Sequence, residues 1–182
     1  DAGTPVTFLW STGDTTAQIS NLNAGTYIVT VSDTNNCSLQ DTVTIDEPVA
    51  ITASATTTDV SCNGGNDGTA NLTLSGGTGT LSVNWGTLNP SALPAGTHTY
   101  TITDSNSCVF TDSVTINQPT AITASATTTD VSCNGGNDGT ANLTLSGGTG
   151  TLSANWGTLN PSVLPAGTHT YTITDSNSCV FT

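Results

Sequence analysis

Five cysteines, two histidines and a loop rich in oxygen-bearing side chains are the residues of this chain with chemistry to offer, and their spacing is regular. Cys62 and Cys108 recur 71 residues later as Cys133 and Cys179, and Cys37 stands 71 residues before Cys108. Two disulfide schemes fit the count. One lies within each repeat, Cys62 with Cys108 and Cys133 with Cys179, leaving Cys37 a partner outside the chain. The other crosses the junctions, Cys37 with Cys62 and Cys108 with Cys133. Loop closure does not choose between them, since enclosed segments of 46 and 25 residues give roughly 4 and 3.5 kcal/mol. The bond within the repeat is preferred, because a small unit with no other staple gains most from one of its own. Free thiols are the remaining alternative. Either scheme implies an oxidising, extracellular setting.

The loop CNGGNDG offers Asn63, Asn66 and Asp67, and its copy offers Asn134, Asn137 and Asp138. Oxygen donors among glycines suit a calcium ion, yet the loop lacks the alternating acids and the bidentate Glu of an EF-hand. A tight turn is the simpler reading. Tyr27 follows Ala-Gly-Thr at the start of a strand, as a corner tyrosine does when its hydroxyl meets a nearby backbone group. His98 and His169 take that place in the full copies, and no second His or Cys stands at ligand spacing beside them. Nucleophile elbow, metal triad and phosphate-cradling loop are all missing, and Glu47 is the one glutamate. No enzymatic activity and no cofactor are expected.

The elements that must position these residues are set by the repeat. Residues 50–111 recur as 121–182 with two differences, Val83 against Ala154 and Ala92 against Val163. Residues 1–49 are the C-terminal part of a diverged copy, residues 50–120 a complete copy, and residues 121–182 a copy without its last strand. Strand signals recur at short spacing between turn residues, and no stretch has helical periodicity. Strands are predicted near Ile51 to Thr57, Thr69 to Leu74, Leu81 to Trp85, His98 to Thr103 and Val109 to Ile116. His98, Tyr100 and Ile102 alternate with Thr97, Thr99, Thr101 and Thr103, which puts large side chains on one face and threonines on the other. Trp10, Trp85 and Trp156 fall once per unit on the third strand, as core aromatics do in sandwiches. The segments DSNSC and DTNNC have the composition of Asx-type hairpin turns. Asn117-Gln118-Pro119 and Asp46-Glu47-Pro48 close the last strand of a unit, since proline cannot donate to a ladder. The short connection that follows predicts a stiff string of domains.

Composition narrows the partners. The chain has no Lys or Arg and 13 acidic residues, for a formal charge of -13. It can neutralise no phosphate, so nucleic acid and anionic headgroups are disfavoured partners. Without lysine there is no isopeptide cross-link. Charged residues are only 7% of the chain and Thr occupies 40 of 182 positions, so the polarity comes from hydroxyls suited to strand faces rather than from the charge that keeps chains disordered. There is no apolar run long enough to span a bilayer.

The stretch from Trp10 to Cys37 resembles the SprB repeat of very long cell-surface adhesins of Bacteroidota. The resemblance rests on W-S-x-G, N-L-x-A-G-x-Y-x-V-x-V-x-D, the terminal Cys and the T-I-x-E-P ending. V-S-C-N-G-G-N-D-G and S-G-G-T-G extend it over the full copies. It implies an immunoglobulin-like fold, export by the type IX system, and filaments or stalks that attach cells to surfaces or polysaccharide. The full copies depart from it in GTLNPSALPAG, which is four residues shorter, and in His for the corner Tyr. Triplets at Asp14-Thr15-Thr16, Asp41-Thr42-Val43 and Asp112-Ser113-Val114 resemble an O-glycosylation signal of the same bacteria, with Thr15, Thr42 and Ser113 as acceptors.

The expectation is therefore an all-β chain of tandem immunoglobulin-like β-sandwich repeats with a period of 71 residues. It is an internal piece of an exported cell-surface filament, possessing no direct membrane insertion and partnered by its own neighbouring repeats, polysaccharide or other copies of the filament. The alternative is a tandem carbohydrate- or calcium-binding module acting by avidity.

Overall fold

The computed structural model describes residues 5–182, which form strands joined by turns and loops without a helix. Two compact units divide the chain, Asp1–Ala50 and Ile51–Thr182. The first is an antiparallel meander of β1 (Val6–Trp10), β2 (Gly25–Asp33) and β3 (Ser38–Ile45). The second holds both full copies.

In residues 50–120 the strands are β4 (Thr52–Thr58), β5 (Thr69–Ser75), β6 (Ser82–Asn84), β7 (Gly96–Thr103) and β8 (Val109–Ile116). β4 and β5 pair as a hairpin, and β6, β7 and β8 form a separate antiparallel sheet. The two sheets share one core, built from Ile51, Val60, Ala70, Leu93, Tyr100, Ile102, Val114 and Ile116. The copy is thus a two-layer, all-β unit of two plus three strands. The alternation along β7 decides which face turns inward: Tyr100 and Ile102 are buried while Thr97 and Thr99 are exposed. Complete burial of side chains such as Leu93 and Ile102 stabilises the unit by about 1.5–3 kcal/mol each.

Gly68 sets how closely the layers approach. A Cβ there would lie 2.6 Å from Ile116 Cγ2 and 2.9 Å from the Leu93 carbonyl oxygen. Gly68 and Leu93 also pair backbone to backbone, which ties the β4–β5 loop to the LNPSALPAG turn.

The second copy repeats the plan with β9 (Thr123–Thr129), β10 (Thr140–Ser146), β11 (Ser153–Asn155), β12 (Thr172–Thr174) and β13 (Val180–Phe181). β12 is shorter than its counterpart β7, because β13 offers only Val180 and Phe181 to pair with it. Val131 is half-buried where Val60 is buried. In the first copy Val114 and Ile116 share the core with Val60. In the meander Ile45 is 37% exposed against 1% for its counterpart Ile116.

The sequence divides residues 50–120 and 121–182 as separate repeats, and the structure joins them in one compact unit. The junction between them supplies the reason.

Candidate functional site

Three segments meet at that junction: the loop after β4, the linker after β8, and the β12–β13 hairpin of the following copy. Each is stiffened by its own sequence. In the loop, Asp67 accepts hydrogen bonds from the backbone N–H of Ser61 at 3.0 Å and from the Ser61 hydroxyl. The hydroxyl bond, then the backbone bond, holds the Asp67 carboxyl below its usual range against a smaller opposing effect of burial. Gly64 adopts a φ of 76°, open to glycine at no steric cost, and the Gly65 N–H closes the turn on the Cys62 carbonyl at 2.9 Å. The result is a loop that presents Cys62 at a fixed place.

The hairpin is organised by a buried aspartate. Asp175 Oδ1 accepts from the N–H groups of Asn177 and Cys179, both at 2.9 Å, and Oδ2 accepts from Thr149 N–H at 2.8 Å. Burial alone would raise its pKa; the bonds from Thr149, Cys179 and Asn177 outweigh it and lower the pKa. Asp104 does the same in the preceding copy, with Thr78, Cys108 and Asn106, and its pKa is lowered chiefly by the Thr78 and Cys108 bonds. Ser178 and Ser107 take a left-handed φ of 66° to complete the turns, and Cys179 and Cys108 follow directly.

Loop, linker and hairpin interlock. Asn63 Nδ2 donates to the Pro119 carbonyl at 2.9 Å, and Gly64 N–H donates to Gln118 Oε1 at 2.8 Å. Asn117 N–H donates to Asp59 Oδ1 at 2.8 Å, while Val60 N–H returns a bond to the Asn117 carbonyl at 3.1 Å. From the following copy, Gly148 N–H meets the Thr120 carbonyl at 2.9 Å and Asn177 Nδ2 donates to the Ser61 carbonyl at 3.1 Å. A disulfide joins Cys62 to Cys179, with Cα atoms 5.6 Å apart and a sequence separation of 117.

This pairing corrects the expected one. Cys62 is not bonded to Cys108, nor Cys133 to Cys179; Cys37, Cys108 and Cys133 are free and exposed. The reason is that the two cysteines of one copy occupy opposite poles. Cys62 lies where the chain leaves the copy, beside Asn117 and Pro119. Cys108 lies where the chain arrives, because Asp104 in the same turn packs beside Ile51 and Gly77. The junction scheme of Cys37 with Cys62 and Cys108 with Cys133 is not formed either. What forms is a bond from the leaving pole of one copy to the arriving pole of the next.

Three of the six calcium candidates take part in hydrogen bonds. Asp67 is engaged by Ser61 and Asn63 by Pro119. Asp138 is likewise engaged by Ser132, while Asn66, Asn134 and Asn137 stand exposed. Among the described residues no three His, Cys, Asp or Glu side chains converge. The corner residues sit as read from the sequence. Tyr27 Oη donates to the Asn23 carbonyl at 2.8 Å, and His98 and His169 place Nε2 at 2.8 and 2.9 Å from the carbonyls of Pro94 and Pro165. A carbonyl only accepts, so each Nε2 carries a proton. Trp85 packs half-buried on Tyr100 with ring centroids 4.8 Å apart, and Trp156 on Tyr171 at 5.0 Å. Thr15, Thr42 and Ser113 are exposed.

Sequence reasoning missed Asp59, Asn117, Gln118 and Asn177. The signal was present in the side chains of Asn-Gln-Pro, which do more than end a strand: they reach the loop of their own copy.

Fold and junction together define an all-β tandem-repeat protein whose neighbouring copies are locked by side-chain hydrogen bonds and a disulfide. The SprB repeat family model matches residues 54–83 and 125–153, so each full copy carries a SprB repeat. Each match includes the loop cysteine but not the hairpin cysteine, and it lies apart from the Trp10 to Cys37 stretch. The family is one of repetitive cell-surface proteins. No curated protein and no solved structure matches the chain. No helix among the described residues is long and apolar enough to cross a membrane.

Proposed function

We propose that the chain is a stalk segment of a repetitive extracellular adhesin, in which neighbouring repeats are clamped so that the array resists extension. The observation that supports it most is the Cys62–Cys179 bond, which spans the junction with a sequence separation of 117. Tension applied to the two ends of the chain runs through the bond rather than through the enclosed residues. A threonine-rich surface with no cation suits exposure outside the cell. Attachment to surfaces or polysaccharide, a link to gliding, and export by the type IX route belong to this reading. Catalysis and a cofactor do not.

Single-molecule pulling on the full chain tests it. Extended chain spans at most about 3.5 Å per residue, so reduction of the bond releases about 400 Å of hidden length over the separation of 117. Equal contour lengths in oxidising and reducing buffer sink the proposal.

A further inference from the structure

We infer that the disulfide is one rung of a repeating ladder: the loop cysteine of each copy bonds to the hairpin cysteine of the copy that follows it. Three observations carry this. First, Cys133 repeats Cys62, and Cys108 repeats Cys179, at the period of 71. Second, residues 50–120 hold Cys62 at the leaving pole and Cys108 at the arriving pole, so one copy can be stapled on both sides without the two bonds competing. Third, the rung seen here is a built contact rather than a chance approach of sulfurs, because Asn63, Asn177 and the linker residues Asn117 and Gln118 hold the two copies around it.

The free cysteines then have one explanation. Cys133 is a loop cysteine awaiting the hairpin of a following copy. Cys108 and Cys37 are hairpin cysteines awaiting the loop of a preceding one, and residues 1–49 contain no loop cysteine that Cys108 could take. The exposed loop around Cys133 is therefore a docking site for another copy of this same repeat. Each rung forms from two thiols, which give up two protons and two electrons to an oxidised dithiol exchange partner; glutathione disulfide serves in vitro and is reduced to two thiols. This connectivity stands apart from the stalk reading, since it is decided by thiol chemistry and not by force.

The test extends the full chain after Thr182 with a second copy of residues 112–182, which continues the array in register and raises the cysteine count from five to seven. After oxidation with glutathione disulfide, free thiols are counted under denaturing conditions by maleimide mass shift, beside the unextended chain. The ladder predicts three free thiols in both chains, because the added pair of cysteines brings one new rung and one new open loop. Bonds within each copy leave one free thiol in both chains, and a loop that docks nothing leaves five in the extended chain; either result overturns the inference. Cys133→Ser in the extended chain must then raise the count to four. A count of two means another cysteine holds the new hairpin, and overturns it as well.

Discussion

Cys62 and Cys179 lie 117 residues apart in sequence and 5.6 Å apart at Cα, one on the loop where a repeat ends and the other on the hairpin where the next begins. That relationship makes the two full copies one body, and it sets the first prediction. On the chain-entropy model a loop of this length is worth about 5 kcal/mol. Cys62→Ser or Cys179→Ser lowers the stability of the Ile51–Thr182 unit by several kcal/mol in urea denaturation. Cys108→Ser, which touches no bond, leaves it unchanged. Equal midpoints for all three variants would falsify the assignment.

Acid unfolds the unit for an identifiable reason. Asp67, Asp104, Asp138 and Asp175 all have carboxyls held below the usual range. A carboxyl whose folded pKa is depressed contributes stability that is present above the unfolded value of about 3.9 and is lost as pH falls through the folded one. The melting temperature is thus level from neutrality to about pH 4 on their account, then drops. Asp104→Asn and Asp175→Asn flatten that drop while lowering the neutral value, because an amide cannot accept three backbone bonds in the same geometry. A melting curve indifferent to pH down to 2.5 contradicts this.

The two nearly identical copies allow a substitution to be its own control. Gly68→Ala forces a methyl against Ile116 and the Leu93 carbonyl, and overpacking of this kind costs about 1–3 kcal/mol. Gly139→Ala meets the Leu164 carbonyl at 3.0 Å but no counterpart of Ile116. The first variant therefore loses more stability than the second in calorimetry; the reverse order refutes the packing account.

The corner bond admits two chemistries. Tyr27 and His98 both reach the carbonyl four residues upstream. His98→Phe strands the Pro94 carbonyl and costs about 1 kcal/mol, whereas His98→Tyr restores a donor and costs less. Denaturation midpoints that rank Tyr at or below Phe would rule out the hydrogen bond as the purpose of the position.

The period, the all-β class, the inward face of β7 and the corner contacts were determined by the sequence alone, because each follows from a local pattern: a repeat, an alternation of two, or a turn residue at fixed offset. The partnering of Cys62 was decided only by the tertiary structure. Spacing along the chain reports loop length, and loop length favours neither scheme strongly; which pole of the sandwich a cysteine occupies depends on how the β4–β5 hairpin packs over β6, β7 and β8. For the same reason Asn63 and Asn177 look like ordinary turn residues until the next copy stands against them. Their meaning lies in a surface that exists only when two copies meet.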